Sequence, residues 1–168
     1  YGNTTNTWYP LAETVLPYGV KTGSVAAPSG IIYAIAVNAS SNLMYVGGDF
    51  INAGGIYASN IAMYNYNTNV WYPFIDSTTK INGTDAPVRA LFWDGFSILY
   101  AGGEFVTAGG KIVNRIAKWT QSSSVWSLLT DGNTGISGTD GPVYCISNYN
   151  ADFYIGGVFS TAGGNTVN

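Results

Sequence analysis

Three kinds of side chain in this 168-residue sequence could carry chemistry: carboxylates beside glycine pairs, a cysteine, and an Asp/Asn-rich loop. Asp49 and Glu104 each follow a double glycine, in MYVGGDF and LYAGGEF, and could belong to a ring of carboxylates around one rim. The third counterpart is Val158, which breaks such a ring. An acid next to a glycine-rich turn readily accepts local backbone N–H groups, so a local role is expected for both. Cys145, the single cysteine, cannot form an internal disulfide. Its counterparts in related segments are Ala34 and Ala90, so a small, buried and inert residue is expected.

The loop DGNTGISGTDG (131–141) spaces Asp131, Asn133 and Asp140 somewhat as calcium loops do. A calcium loop of the EF-hand kind needs five or six oxygen ligands and a bidentate Glu at its twelfth position, and neither is present. The related DSTTKINGTDAPV keeps Asp76 and Asp85 but has Thr78 and Lys80 where Asn133 and Gly135 stand, and Lys80 would oppose a cation. Turn stabilisation is the expected role of these aspartates. The glycine pairs do not match a phosphate-binding loop, since no helix and no Lys-Ser/Thr pair follows them. The chain contains no His, which removes Ser-His-Asp and Cys-His catalysis and the commonest metal ligand from these residues. No catalytic residue, metal ligand or cofactor is therefore assigned, and a protein that is not an enzyme is expected.

Composition narrows the partners. Charged residues are 9% of the chain against 46% hydrophobic, and six basic against nine acidic residues give a net charge of −3. Phosphate neutralisation needs a clustered basic face, so nucleic acid is not expected as a partner. The longest apolar run, IIYAIAV at 31–37, has the length of a strand and not of a membrane span. Asn3, Asn38 and Asn82 head Asn-X-Ser/Thr triplets, the acceptors of N-glycosylation. With few Lys and Glu, they point to an extracellular or cell-surface location. Tyr18, Tyr57, Tyr66, Phe96 and Tyr149 fall in or beside turns; they could stack on sugars, form protein contacts, or cover sheet edges.

What must position these residues is a repeat. LYAGGEFVTAGG (99–110) recurs as MYVGGDFINAGG (44–55) and FYIGGVFSTAGG (153–164), so that Gly47, Gly102 and Gly156 are 55 and 54 residues apart. NIAMYNYNTNVWYPF (60–74) aligns with RIAKWTQSSSVWSLL (115–129), pairing Tyr64 with Trp119 and Trp71 with Trp126. TWYPL at 7–11 puts Trp8 in the place of Trp71. Trp8, Trp71 and Trp126, repeating in register, are expected in the core. Each unit reads as four short strands, typified by VRALFW, SILYAGGEF, RIAKWTQ and SVWSLL, separated by turn formers such as Asp94-Gly95 and Asn82-Gly83. Four antiparallel strands at this period mark a blade of a β-propeller.

On this reading the fold is all-β, with about three blades in the segment. Residues 1–30 hold the tail strand of a preceding blade and a linker, 31–75 and 76–129 are blades, and 130–168 an incomplete blade, all in one propeller domain. Gly47-Gly48, Gly102-Gly103 and Gly156-Gly157 are expected where adjoining blades crowd together, because a residue without a side chain lets backbones approach. Phe105 and its copies should turn into the interblade core, and the later AGG should supply the positive-φ turn joining strands two and three.

The pattern of an apolar run closed by Gly102-Gly103, then Trp119 and Trp126, resembles the kelch repeat, and the arrangement looks closest to galactose-oxidase-like propellers of secreted and cell-surface proteins. That resemblance implies the fold; the copper ligands of such oxidases include His, which this chain lacks. Propellers carry ~4 to 8 blades, so these residues are expected to leave the ring incomplete, with copies of the chain or the remainder of a longer polypeptide covering the open edges. The leading expectation is a non-catalytic extracellular structural or interaction module with protein or glycan partners, within a glycoprotein assembly. The alternatives are a secreted oxidase or carbohydrate-active enzyme whose site lies outside this segment, and an intracellular adaptor.

Overall fold

The computed structural model describes residues 20–21, 30–130, 137–150 and 152–167. Strand β1 (Val20–Lys21) pairs with a later hairpin; β2 (Ile31–Asn38) and β3 (Leu43–Asp49) open the first blade. The hairpin β4 (Asn52–Ala53) and β5 (Ile56–Tyr57) follows, then β6 (Ile61–Asn65) and β7 (Val70–Pro73). The second blade repeats the order: β8 (Val88–Trp93), β9 (Ile98–Gly103), a hairpin of β10 (Thr107–Ala108) and β11 (Lys111–Ile112), then β12 (Ile116–Thr120) and β13 (Val125–Leu128). β14 (Val143–Tyr149), β15 (Asp152–Gly157) and a hairpin of β16 (Thr161–Ala162) and β17 (Asn165–Thr166) form the third unit. Sheet orders β2-β3-β6-β7 and β13-β12-β9-β8 are antiparallel meanders, and β14-β15 is a two-stranded counterpart; the described sheets do not close a ring.

The turns between strands follow from side chains that compete for backbone donors. Asp94 Oδ1 accepts the N–H groups of Phe96, Ser97 and Ile98, closing the β8–β9 turn, with Gly95 at φ +86°. Asn65 Oδ1 does the same for Asn67 and Thr68 between β6 and β7.

The AGG segments differ from expectation. They do supply positive φ, at Gly109 (+54°) and Gly110 (+74°), the geometry of a two-residue I′ turn. They do not join strands two and three directly, however: each closes a separate short hairpin inserted between them. That hairpin also serves the neighbouring connection, because Thr84 bridges Ala108 and Thr139 bridges Ala162, as Val20 pairs with Ala53.

The core lies between blades. Strand alternation sends Leu99 and Ala101 of β9 toward the first blade, where with Phe105, Trp119 and Trp126 they meet Tyr45, Ile61 and Phe74. Phe74 packs edge-on against Trp119 with ring centroids 4.9 Å apart, and Trp119 lies 5.2 Å from Trp126. Phe50, Phe105, Trp71 and Trp126 are all buried, as the repeat predicts; Phe159 is only partly so. Trp8 lies outside the described residues.

Candidate functional site

The seam between blades is where the repeat residues meet. A Cβ added at Gly47 would lie 2.6 Å from Val88 Cγ1 and 3.2 Å from Leu91 Cδ1, both on the next blade's first strand. At Gly102 the same clash arises with Val143 Cγ1 at 2.7 Å and Ile146 Cδ1 at 3.2 Å. The first glycine of each pair is thus a seat for the following blade's aliphatic residue, the close approach that the sequence anticipates. The second glycine has a different cause. Added Cβ atoms at Gly48, Gly103 and Gly157 meet the carbonyl oxygens of Ile31, Pro87 and Pro142 of the same sheet at 2.0, 2.2 and 2.0 Å. Each of these contacts lies beside a β-bulge in strand one, at Tyr33, Arg89 and Tyr144, where the register shifts by one residue.

A clasp missing from the sequence reading crosses the same seam. Thr84 N–H donates to Ser59 O (3.0 Å) and Thr84 O accepts from Ser59 Oγ (2.9 Å) and Asn60 Nδ2 (3.0 Å). Thr139 N–H donates to Asn114 O in the next seam at 3.0 Å. Gly83 and Gly138 precede these threonines with φ +61° and +69°, and a Cβ on either would reach the Ser59 or Asn114 carbonyl oxygen at 2.0 or 1.9 Å. Their signal was present as the shared GTD triplet, which reads in isolation as an ordinary turn.

On the outer face of the third sheet no described residue other than Cys145 reaches the seat. An added Cβ at Gly156 would meet only Cys145 Sγ, at 2.7 Å. Tyr154 is 56% exposed, whereas its counterpart Tyr45 is fully buried, with its ring 5.3 Å from Trp93 and its hydroxyl donating to Gln121 Oε1 at 3.0 Å. Cys145 is exposed, not buried as expected. The equivalence to Ala90 holds in register, since Ala90 opposes Gly102 and Cys145 opposes Gly156; what differs is that the third blade covers Ala90 and no described residue covers Cys145. Between the second and third sheets a cleft of about 350 Å³ is lined by Tyr100, Ile116, Leu129, Ile146 and Phe153. Tyr45, Ile61 and Phe74 hold the same places in the first seam, and there Trp119 and Trp126 fill the space.

Among the described carboxylates, Glu104, Asp85, Asp140 and Asp76 each have structural partners. Glu104 does not bond local N–H groups as expected; its Oε1 accepts Arg89 Nε at 2.8 Å, while the Arg89 guanidinium stacks 3.8 Å above the Tyr33 ring across the first seam. Asp85 Oδ1 accepts from Val106 and Thr107 N–H, and Asp140 Oδ1 from Ser160 and Thr161 N–H, so both tie the connection to their own hairpin. The Ser160 hydroxyl and the Thr161 N–H hold the Asp140 carboxyl down at about 2. Asp76 is buried, accepting from Thr78, Thr79, Trp126 and Lys111. Asp131 and Asn133 lie outside the described residues, among which no three His, Cys, Asp or Glu gather as a metal-ligand set.

The exposed aromatics are spread over the surface. Phe96 (89% exposed) is in the β8–β9 turn, Tyr149 ends β14, Tyr66 follows β6, and Tyr57 is in β5 beside the Gly54-Gly55 turn; Tyr18 lies outside the described residues. Of the acceptor asparagines, Asn38 is buried, Asn82 is half-buried, and Asn3 lies outside the described residues. No described helix is long and apolar enough to cross a membrane.

A comparison with curated proteins finds no match. The family model of the Rax2 C-terminal beta propeller domain matches residues 20–165, a span that takes in both complete blades, the third sheet and every glycine seat described above. By its sequence and by the four-stranded sheets that pack seat to seat, the chain belongs to the Rax2 C-terminal beta propeller domain family.

Proposed function

We propose that the chain is a non-catalytic, extracellular structural and interaction module of kelch-like blades, and that it acts by offering its third sheet to a further blade of the same kind. One observation carries the reading: the seat that Gly47 offers Val88 and Gly102 offers Val143 recurs at Gly156 without an occupant among the described residues. On the same face Tyr154 is exposed, where its counterpart Tyr45 is buried against the second blade. Burying apolar surface of this kind is the main driving force of association. The absence of His and the structural engagement of Asp76, Asp85, Glu104 and Asp140 support a module without catalysis.

Cys145 reports on this reading directly. In the native assembly, Cys145 is expected to react with a thiol reagent more slowly than in the urea-unfolded protein by at least roughly tenfold, because access governs thiol reactivity. The isolated 168-residue chain, with Cys145 exposed, is expected to react rapidly. Equal rates in the native assembly and the unfolded protein would remove the proposed covering blade.

A further inference from the structure

The structure distinguishes two acceptor triplets that the sequence makes equivalent. We propose that Asn82 is an N-glycosylation site and that Asn38 is closed to the same modification; the proposal rests on the extracellular reading above. Asn82 sits in the connection between the first two blades, paired with Ile75. Its Nδ2 donates one hydrogen bond, to Tyr57 O at 2.8 Å in a contact at the exposed surface, while its Oδ1 is buried without a hydrogen-bond partner. Around it Tyr57, Ile75 and Ile81 are 61, 44 and 50% exposed, an apolar rim that a glycan would shield.

The chemistry suits this geometry. A lipid-pyrophosphate-linked oligosaccharide is the donor: the Nδ2–C1 bond forms, the C1–O bond to pyrophosphate breaks, the lipid pyrophosphate leaves, and one amide proton is released. The product keeps one N–H, which is all that the bond to Tyr57 O requires. Asn38 has no such freedom. It is 2% exposed, its Nδ2 donates to Gln121 Oε1 at 2.9 Å and to the Tyr45 hydroxyl at 3.4 Å, and its Oδ1 accepts the hydroxyl of Ser40, the third residue of its own triplet, at 2.7 Å. A sugar on this nitrogen displaces Gln121, and with it the bonds linking the first blade to the second.

The test directs the full chain through a eukaryotic secretory pathway with a cleavable leader and maps the secreted, folded protein by mass spectrometry after enzymatic deglycosylation in heavy-oxygen water. The expected result is conversion of Asn82 to isotopically labelled Asp with Asn38 unmodified, and loss of one glycan mass in Asn82→Gln with an unchanged melting temperature. A folded protein with Asn82 unmodified, or with Asn38 carrying sugar, overturns the proposal. Absence of glycan from native material, with Asn82 occupied in the leader-directed chain, overturns the extracellular reading and leaves the site assignment standing.

Discussion

Gly102→Val is expected to destabilise the protein by about 3 kcal/mol, the upper part of the range for forcing extra carbon into a packed core. Its Cβ alone would lie 2.7 Å from Val143 Cγ1 and 3.1 Å from Val143 Cβ, and these are β-branched atoms with few rotamers in which to retreat. Two methyl groups on that carbon push the third sheet off the second. The informative control is Gly156→Val, at the same repeat position, where only the exposed Cys145 Sγ stands near and can rotate away. Its effect is expected to stay within about 0.5 kcal/mol, since Val also suits a strand better than Gly. Urea midpoints of the two variants of the isolated chain decide the matter. Equal losses at both positions would show that the first glycine serves its own sheet and not the next blade.

How far such residues can be found without coordinates depends on where their reason lies. The strands were legible because they are local: VRALFW and SILYAGGEF carry their own β-propensity and turn signals, and β8 and β9 fall within a few residues of them. Gly102 was legible because three phased copies turn a weak local signal into a pattern. Gly103 was legible as a glycine but not in cause, since the clash with Pro87 O arises from a bulge at Arg89 that no composition marks. Gly83 was legible as a turn former, but the Thr84 clasp was missed because its partners, Ser59 and Asn60, lie 25 and 24 residues earlier on another blade. The inserted hairpins escaped because strands of two residues have no periodicity to read. Cys145 was misplaced for a simpler reason: its register was inferred correctly, but burial depends on what covers a position as well as on register.

Asp76→Ala is expected to cost about 3 to 5 kcal/mol, the range for removing one partner of a buried charge pair. The Asp76 side chain is fully buried, with Lys111 Nζ 2.8 Å from its Oδ2 and the Trp126 N–H 2.8 Å from the same oxygen; Oδ1 accepts the N–H groups of Thr78 and Thr79 at 2.9 and 3.1 Å. The carboxylate therefore joins the connection after β7 to β13 and, through Lys111, to the β10–β11 hairpin. Truncation strands the Trp126 N–H and a partly buried ammonium together. Burial pushes the Asp76 carboxyl up, but the bonds from Lys111, Thr78 and the Trp126 N–H outweigh it and hold the group well below the usual carboxylate range. A depressed folded-state pKa gives stability that is complete above the unfolded value of about 3.9 and is lost as pH falls through that value toward the folded one. The expected signature is a urea midpoint difference between wild type and Asp76→Asn that is largest near neutral pH and shrinks below about pH 4. A difference that stays constant from neutral pH to pH 2 would mean that the carboxylate charge contributes nothing here, and that shape alone makes Asp76 fit the junction of the two blades.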